Sequence, residues 1–407
     1  MSNEIKVAAA SVAAVPASAT VRPRLDSIDL LRGLIMVLMA LDHVRDFFSR
    51  DIILPDKLSG TPPALFFTRW ITHFCAPAFV FLAGTSAFLY GTLGRSKQQL
   101  SRFLWTRGLW LVVLEMTIVA WAWHFDVTYP RIAFMVIWAL GISMIALAGL
   151  VRLPMRWIIG LGAAMIAGHN LLDPITFPQS DWRFVPWALL HDVPKRMALT
   201  NHTTLFFLYP IIPWIGVMAL GYAFGPIFQQ RADVRQRWLI RLGAGLTAGF
   251  VLLRLSNLYG ESAHWSVQPS ALFTLMSFLN CTKYPPSLLY LLMTLGPALL
   301  LLALLERHPR WRPGWLLIFG RVPLFYYVVH LYLIHLAAGL TALLFGRASD
   351  ARWILSSHFN MNRPEGYGQP LWVVYLAWII IVALMYLPCR WYAGVKQRNR
   401  SPWLSYL

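Results

Sequence analysis

Apolar runs of about 20 residues recur along this chain and constrain its fold more than any other feature. A helix of that length matches the hydrocarbon thickness of a bilayer. Charged residues make up 13% of the sequence, which is about half the fraction found in soluble domains. The sequence therefore predicts an all-α polytopic membrane protein whose main partner is the lipid bilayer.

Ten such runs predict a bundle of about ten transmembrane helices. They lie near residues 28–48, 71–92, 103–123, 132–151, 157–173, 205–227, 239–256, 286–305, 316–345 and 371–389. The ninth is longer than a bilayer requires, so we expect a tilt or a break at Pro323 or Gly339. We expect a disordered cytoplasmic tail at 1–24, a transmembrane domain at 25–392 and a basic cytoplasmic tail at 393–407.

The basic residues cluster in short segments between the runs, whereas most acidic residues lie in longer segments. Lys and Arg in short loops favour the cytoplasmic side. Both termini are therefore predicted to be cytoplasmic in a multi-pass protein, with a bacterial inner or plasma membrane as the expected location. The formal charge of +18 follows from these topology signals, so we expect no nucleic-acid partner.

The sequence contains none of the common motifs for metal binding or nucleotide hydrolysis. The 3 cysteines show no CxxC spacing, and there is no P-loop, HExxH or GxSxG motif. We therefore expect no metal site and no ATP hydrolysis.

The first run, "IDLLRGLIMVLMALDHVRDFF", carries ionisable residues at both of its ends. Asp29 and Arg32 lie near its start, and Asp42 and His43 lie near its finish. Arg32 and His43 share nearly the same face of a helix, roughly 16 Å apart along its axis. Such groups usually face protein or a water-filled cavity rather than lipid. In the structural interpretation, Asp29 and Arg32 form an N-terminal cap pair, and Asp42 and His43 lie at the membrane interface. In the functional interpretation, these residues form a site along one helix.

The pattern Asp-x-x-Arg-Gly, with ten residues between the Arg and a later His, resembles the first helix of integral-membrane acyltransferases. The longer strings "RLDSIDLLRGLIMVLMALDHVRDFF" and "THFCAPAFVFLAGTSAFLYG" are similar to the catalytic domain of heparan-α-glucosaminide N-acetyltransferases. The strings "FLNCTKYPPSLLYLLMTLGP" and "GRVPLFYYVVHLYLIH" resemble bacterial relatives of that domain. The likeness extends from about Arg24 to the last run.

This resemblance implies an enzyme that moves an acetyl or short acyl group from cytoplasmic acyl-CoA to a saccharide amine or hydroxyl on the far side of the membrane. Acetyl-CoA, or another acyl-CoA, would be its co-substrate. His43 matches the catalytic histidine of the broader acyltransferase group. The heparan-type enzymes have an asparagine there and a histidine in the following loop, but residues 44–67 contain none. The activity class therefore carries over better than the heparan substrate.

Roles for the first helix follow from this interpretation. His43 would act as a general base or would itself accept the acyl group, and the sequence does not choose between these. Asp46 or Asp42 would orient its ring, and Asp46 is better placed on an ideal helix. Arg32, paired with Asp29, would bind a phosphate or the pantetheine amide of acyl-CoA.

Further candidates lie at the predicted outer face. His73 is a second catalytic candidate, and Lys283, Asn280, His335 and Arg69 are candidates for substrate binding. For each of them, an ordinary interfacial residue is the alternative interpretation.

A proton-coupled transporter or flippase of a small or lipid-linked solute is the alternative function. It would use Glu115, His330 and His335 as a proton path through the membrane. A transporter often shows an internal repeat, and none is evident here. A structural subunit is a third interpretation, and the aromatic surfaces allow a homodimer.

Overall fold

The computed structural model describes residues 25–51, 58, 60–126, 128–308, 310–355, 364–399, 401 and 404. The predicted tail at 1–24 lies outside this set. Within it the chain is mostly α-helical, which confirms the predicted all-α class apart from one small sheet.

Among the described residues, eight α-helices lie before residue 191 and eight lie after it. The first eight are α1 (Asp26–Phe48), α2 (Pro63–Thr72), α3 (Cys75–Gly91), α4 (Lys97–Leu114), α5 (Ala120–His124), α6 (Val136–Leu150), α7 (Met155–Gly168) and α8 (Phe184–Leu190). The others are α9 (Ile211–Phe224), α10 (Ala232–Ser256), α11 (Ala271–Leu279), α12 (Leu288–Arg307), α13 (Gly314–Arg321), α14 (Pro323–Leu344), α15 (Ala348–Leu355) and α16 (Leu371–Arg398).

A three-stranded sheet joins the segments that precede α6 and α9. Its strands are β1 (Arg131–Phe134), β2 (Lys195–Ala198) and β3 (Thr204–Phe207), in the order β1-β3-β2. β1 runs parallel to β3, and β2 runs antiparallel to it.

Seven helical stretches within the described residues are long and apolar enough to cross a membrane. They are Pro63–Gly91, Lys97–His124, Ile211–Gln229, Ala232–Ser256, Leu288–Arg307, Pro323–Leu344 and Leu371–Arg398. The other three predicted runs fold as α1, α6 and α7. α6 and α7 have 15 and 14 residues, which is short for a span. α1 has 23 residues but carries charged side chains at both ends.

Several predicted boundaries differ from the observed ones. The run 132–151 begins with β1 and the run 205–227 begins with β3, because these residues pair with each other in the sheet. The run 157–173 leaves the α-helix at Gly168 and continues as a 3₁₀ turn. The ninth run breaks between α13 and α14 at Pro323, as expected for a residue that cannot donate a backbone hydrogen bond.

The predicted limit of the membrane domain at residue 392 falls inside α16, which continues to Arg398. Residues 393–398 of the predicted basic tail are therefore helical. Intrahelical hydrogen bonds can continue past an apolar segment. The Arg398 side chain also bonds the Gly394 carbonyl one turn earlier.

α1 occupies the centre of the fold, and most of its residues are buried. It packs against α2, α3, α12, α13, α14 and α16. The crossing with α13 depends on two glycines, because a Cβ on Gly33 would overlap the Leu316 carbonyl and one on Gly320 would overlap the Asp29 carbonyl. The backbones of the two helices are therefore in direct contact.

Glu115 has a structural partner inside the bundle. Its carboxylate accepts hydrogen bonds from the backbone N–H groups of Ile137 (2.9 Å) and Trp138 (3.0 Å) at the start of α6. These are donors that a helix leaves unpaired at its N-terminus. Glu115 therefore caps α6 from a neighbouring helix, and a place in a proton path is not needed to explain it.

We expect Gly320→Ala to lower the free energy of unfolding by about 1–3 kcal/mol, because the added methyl group must separate α13 from α1. Gly160→Ala in α7 is the matched control, since nothing lies within 4 Å of its added Cβ. Thermal unfolding in detergent measures both. Equal stability of the two variants would contradict the close packing of α1 on α13.

Candidate active site

A cavity of about 310 Å³ runs beside α1. Arg32 lines one part of it, here named the Arg32 end, and Asp42 and His43 line another, the His43 end. Met39 lines it between them. The volume falls at the lower limit of typical small-molecule sites. The prediction that Arg32 and His43 share one face of the first helix is confirmed.

The His43 ring is held by a second histidine, His330 of α14. His43 Nδ1 lies 2.8 Å from His330 Nε2, and the rings stack with centroids 5.0 Å apart. Trp123 and Tyr327 contact the His43 ring edge-on. Both histidines are buried.

The proton positions in this pair follow from the backbone. His330 Nδ1 lies 2.8 Å from the Tyr326 carbonyl oxygen, which can only accept, so Nδ1 must carry the proton. The His330 Nε2 lone pair then accepts from His43 Nδ1–H. This leaves the lone pair of His43 on Nε2, and His43 lines the cavity. The pair therefore fixes the tautomer in which His43 can act as a base.

The aspartates of α1 do not orient the His43 ring, contrary to the sequence expectation. Asp46 bonds Arg45 at 2.8 Å. Asp42 accepts from Arg45 at 2.8 Å and from the Thr72 hydroxyl at 2.9 Å, and its other oxygen lies 3.6 Å from Lys283 Nζ. Helical spacing predicted only which residues of α1 lie near His43. The residue that contacts the His43 ring nitrogen is His330, on α14.

Lys283, a candidate for substrate binding from the sequence, lines the His43 end of the cavity. It lies between α11 and α12. Its pKa is raised: burial opposes the charged form, but Tyr284 and Asp42 outweigh it. The side chain is therefore an ammonium group beside the imidazole of His43.

Two buried charged residues hold the segment that carries Lys283. Glu261 accepts hydrogen bonds from the backbone N–H of Thr282 (2.7 Å) and from the hydroxyls of Thr282 (2.5 Å) and Ser287 (2.7 Å). Arg254 donates to the carbonyls of Phe278 (2.9 Å) and Asn280 (3.0 Å). These contacts fix the segment on both sides of Lys283.

The Arg32 end is strongly cationic. Arg32 bonds Asp29 (3.4 Å), as the sequence predicted, and also the Ser86 hydroxyl. Three more basic residues line the cavity, namely Arg107, Arg321 and Lys396. Sequence reasoning treated these three only as topology signals. Their positions in short basic segments could have indicated the cavity, because each adjoins an apolar run.

Six of the ten predicted site residues are not among the described residues that line the cavity: Asp29, Asp46, His73, Arg69, Asn280 and His335. The His335 ring nitrogens lie 2.8 Å and 2.6 Å from the carbonyls of Ala122 and Ile354. His73 packs against Tyr290, whose hydroxyl bonds the His73 carbonyl. His335 therefore has hydrogen-bond partners outside the cavity lining, whereas His73 lies within electrostatic range of Lys283 and Asp42 without lining the cavity.

A comparison with protein families finds a match over more than half of the chain. The family model described as "Heparan-alpha-glucosaminide N-acetyltransferase, catalytic" matches residues 24–253. This is more than half of the chain and includes Arg32, His43 and Arg107. His330 and Lys283 lie outside the matched range. No curated protein matches the chain.

We expect Glu261→Gln to lower the free energy of unfolding by about 1.5–3 kcal/mol, because an amide nitrogen cannot accept from Thr282 or Ser287. Glu365→Gln, at an exposed acid, is the matched control and should leave stability unchanged. Thermal unfolding in detergent measures both. Identical midpoints would show that Glu261 does not hold the Lys283 segment.

Proposed function

The chain belongs to the heparan-alpha-glucosaminide N-acetyltransferase catalytic family, and from this premise we propose that it transfers an acetyl or short acyl group from acyl-CoA to a saccharide across the membrane. Family membership indicates a transmembrane acyltransferase-type function. The observation that supports the proposal best is the single cavity that is cationic at the Arg32 end and carries an imidazole at the His43 end.

The proposed topology has ten spans, made by the seven long apolar stretches together with α1, α6 and α7. Both termini and the Arg32 end then face the cytoplasm. Support comes from the basic residues, which concentrate at the start of α4 and at the ends of α13 and α16. The His43 end faces the opposite side, where a saccharide acceptor would approach.

Acyl-CoA would enter through the Arg32 end. Its phosphates carry several negative charges, and Arg32, Arg107, Arg321 and Lys396 form a cluster of opposite charge. The middle of the cavity is lined by apolar side chains such as Phe79, Val80 and Leu140, which suit the pantetheine arm. In this pose the thioester lies beside His43.

The transfer step uses the lone pair of His43 Nε2. An acceptor hydroxyl or amine attacks the thioester carbonyl while His43 Nε2 takes its proton. The new C–O or C–N bond forms, the C–S bond breaks, and His43 returns the proton to the leaving CoA thiolate. In a second route, Nε2 attacks the thioester first and expels the CoA thiolate. The acceptor then displaces Nε2 from the acyl group, and its proton passes to the thiolate. Both routes require the tautomer that His330 fixes.

Lys283 would assist by its charge. Its ammonium group lies at the same end of the cavity as His43 and is anchored by Asp42 at 3.6 Å. Negative charge develops on the carbonyl oxygen as the thioester is attacked, and a fixed cation stabilises that charge. His330 acts on the reaction only through His43 and is a positioning residue.

His43→Ala should reduce acyl transfer by roughly 10²–10⁴-fold, the usual contribution of a general base. The assay follows label from radioactive acetyl-CoA into saccharide or protein in membranes that contain the chain. His264→Ala, at an exposed histidine, is the control and should retain full transfer. Wild-type turnover by His43→Ala would remove this residue from the mechanism.

His330→Gln should retain much more activity than His330→Phe. The glutamine amide can donate to the Tyr326 carbonyl and accept from His43 Nδ1, whereas phenylalanine can do neither. We expect kcat to fall by roughly 10²-fold or more in His330→Phe, with little change in KM, as for a group that orients a catalytic histidine. Equal kcat in the two variants would contradict the positioning role.

Arg32→Ala should raise the KM for acyl-CoA roughly tenfold or more, because it loses a charge-assisted hydrogen bond worth about 1.5–3 kcal/mol. Arg156→Ala is the matched control, since this exposed arginine is outside the cavity lining. Initial rates at varied acyl-CoA concentration give both values. An unchanged KM in Arg32→Ala would count against acyl-CoA binding at the Arg32 end.

A further inference from the structure

Three potential metal ligands meet outside the cavity lining. His169 and Asp173 follow α7, and His191 directly follows α8. One donor atom of each lies within 4.8 Å of the donors of the other two. None of the three lines the cavity beside α1.

The local backbone brings these residues together. His169 begins a 3₁₀ turn that ends at Leu172, and Asp173 follows that turn directly. His191 Nε2 lies 2.9 Å from Asp173 Oδ1, and the Asn170 side-chain amide donates to Asp173 Oδ2 at 3.1 Å. Asp173 is thus oriented toward His191 by its neighbours before any ligand binds.

Three of the four ring nitrogens of the two buried histidines lack a hydrogen bond within the described part of the chain. His169 is 1% exposed and His191 is 2% exposed. Within the described part of the chain, neither ring nitrogen of His169 has a hydrogen-bond partner, and neither does His191 Nδ1. The Pro286 carbonyl lies near the His169 ring but outside good hydrogen-bond geometry. Buried polar atoms in this state call for an explanation.

We propose that His169, Asp173 and His191 form a binding site for a divalent transition metal, with Zn²⁺ as the ion that suits them best. Two imidazoles and one carboxylate are a common zinc ligand set, and the fourth tetrahedral position is then open to water or an external ligand. Hard cations such as Mg²⁺ prefer all-oxygen sites. Zn²⁺ replaces the His191–Asp173 hydrogen bond with two metal bonds and provides a partner for His169.

The site lies next to the segment that carries Lys283. The Asn170 side-chain oxygen, one residue from His169, accepts from the backbone N–H of Leu288 at 3.0 Å. Leu288 begins α12, directly after the segment held by Glu261. A metal at His169 would therefore tie α7 and α8 to the position of Lys283. The expectation of no metal site rested on the absence of motifs with short spacing. His191 lies 22 residues beyond His169, so this cluster has no such motif.

The test uses full-length protein purified in detergent without a polyhistidine tag and freed of metal with EDTA. Zn²⁺ is titrated in competition with a chromophoric chelator, and the bound metal is counted by mass spectrometry. We expect one zinc per chain and a higher Tm with zinc. Asp173→Asn and His169→Gln should weaken binding roughly 10-fold or more, whereas His264→Ala should bind as the wild type does.

Asp173→Asn keeps the size and most hydrogen bonds of the aspartate, so its metal-free Tm and elution volume should match the wild type. If the metal-free Tm values are comparable, a loss of zinc binding is due to the missing carboxylate ligand and not to unfolding. Absence of zinc binding by the wild type, or equal binding by the wild type and Asp173→Asn, would overturn the site. Zinc binding does not depend on acyl transfer, so failure of the proposed function would leave this result unaffected.

Discussion

The fold depends on one constraint: α1 is buried by other helices, yet it carries ionisable side chains at both ends. A charge away from water is costly unless it is paired and hydrogen-bonded. Each such group of α1 therefore has a partner within the protein. Asp29 pairs with Arg32, Asp42 pairs with Arg45, and His43 bonds His330.

These partners determine which distant segments must lie against α1. His330 brings α14 to the His43 end, and Lys283 brings the start of α12 there through Asp42. At the Arg32 end, the close crossing of α1 and α13 places Arg321 near Asp29. Arg321 adds to the positive charge at that end. The contacts that stabilise this polar central helix thus also make the two ends of the cavity differ. The His43 end has an ammonium group and an imidazole, and the Arg32 end has several cations.

The sequence predicts what depends on local periodicity. Apolar runs predicted the helical class, and an interval of about three turns predicted that Arg32 and His43 share a face. It could not predict that His330, which is 287 positions away along the chain, contacts His43. It also assigned the ring-orienting role to Asp46, because spacing along one helix shows only the neighbours on that helix. Glu261 and Arg254 were missed for the same reason, since they act on a separate loop through tertiary hydrogen bonds.

The central claim is that acyl-CoA and the catalytic imidazole meet in one cavity along α1. A cryo-electron microscopy structure with a non-hydrolysable acyl-CoA analogue tests it most directly. The phosphates should contact Arg32, Arg107 or Lys396, and the atom that replaces the thioester carbonyl carbon should lie within van der Waals contact of His43 Nε2. An analogue bound outside this cavity, or one whose acyl group points away from His43, would contradict the claim.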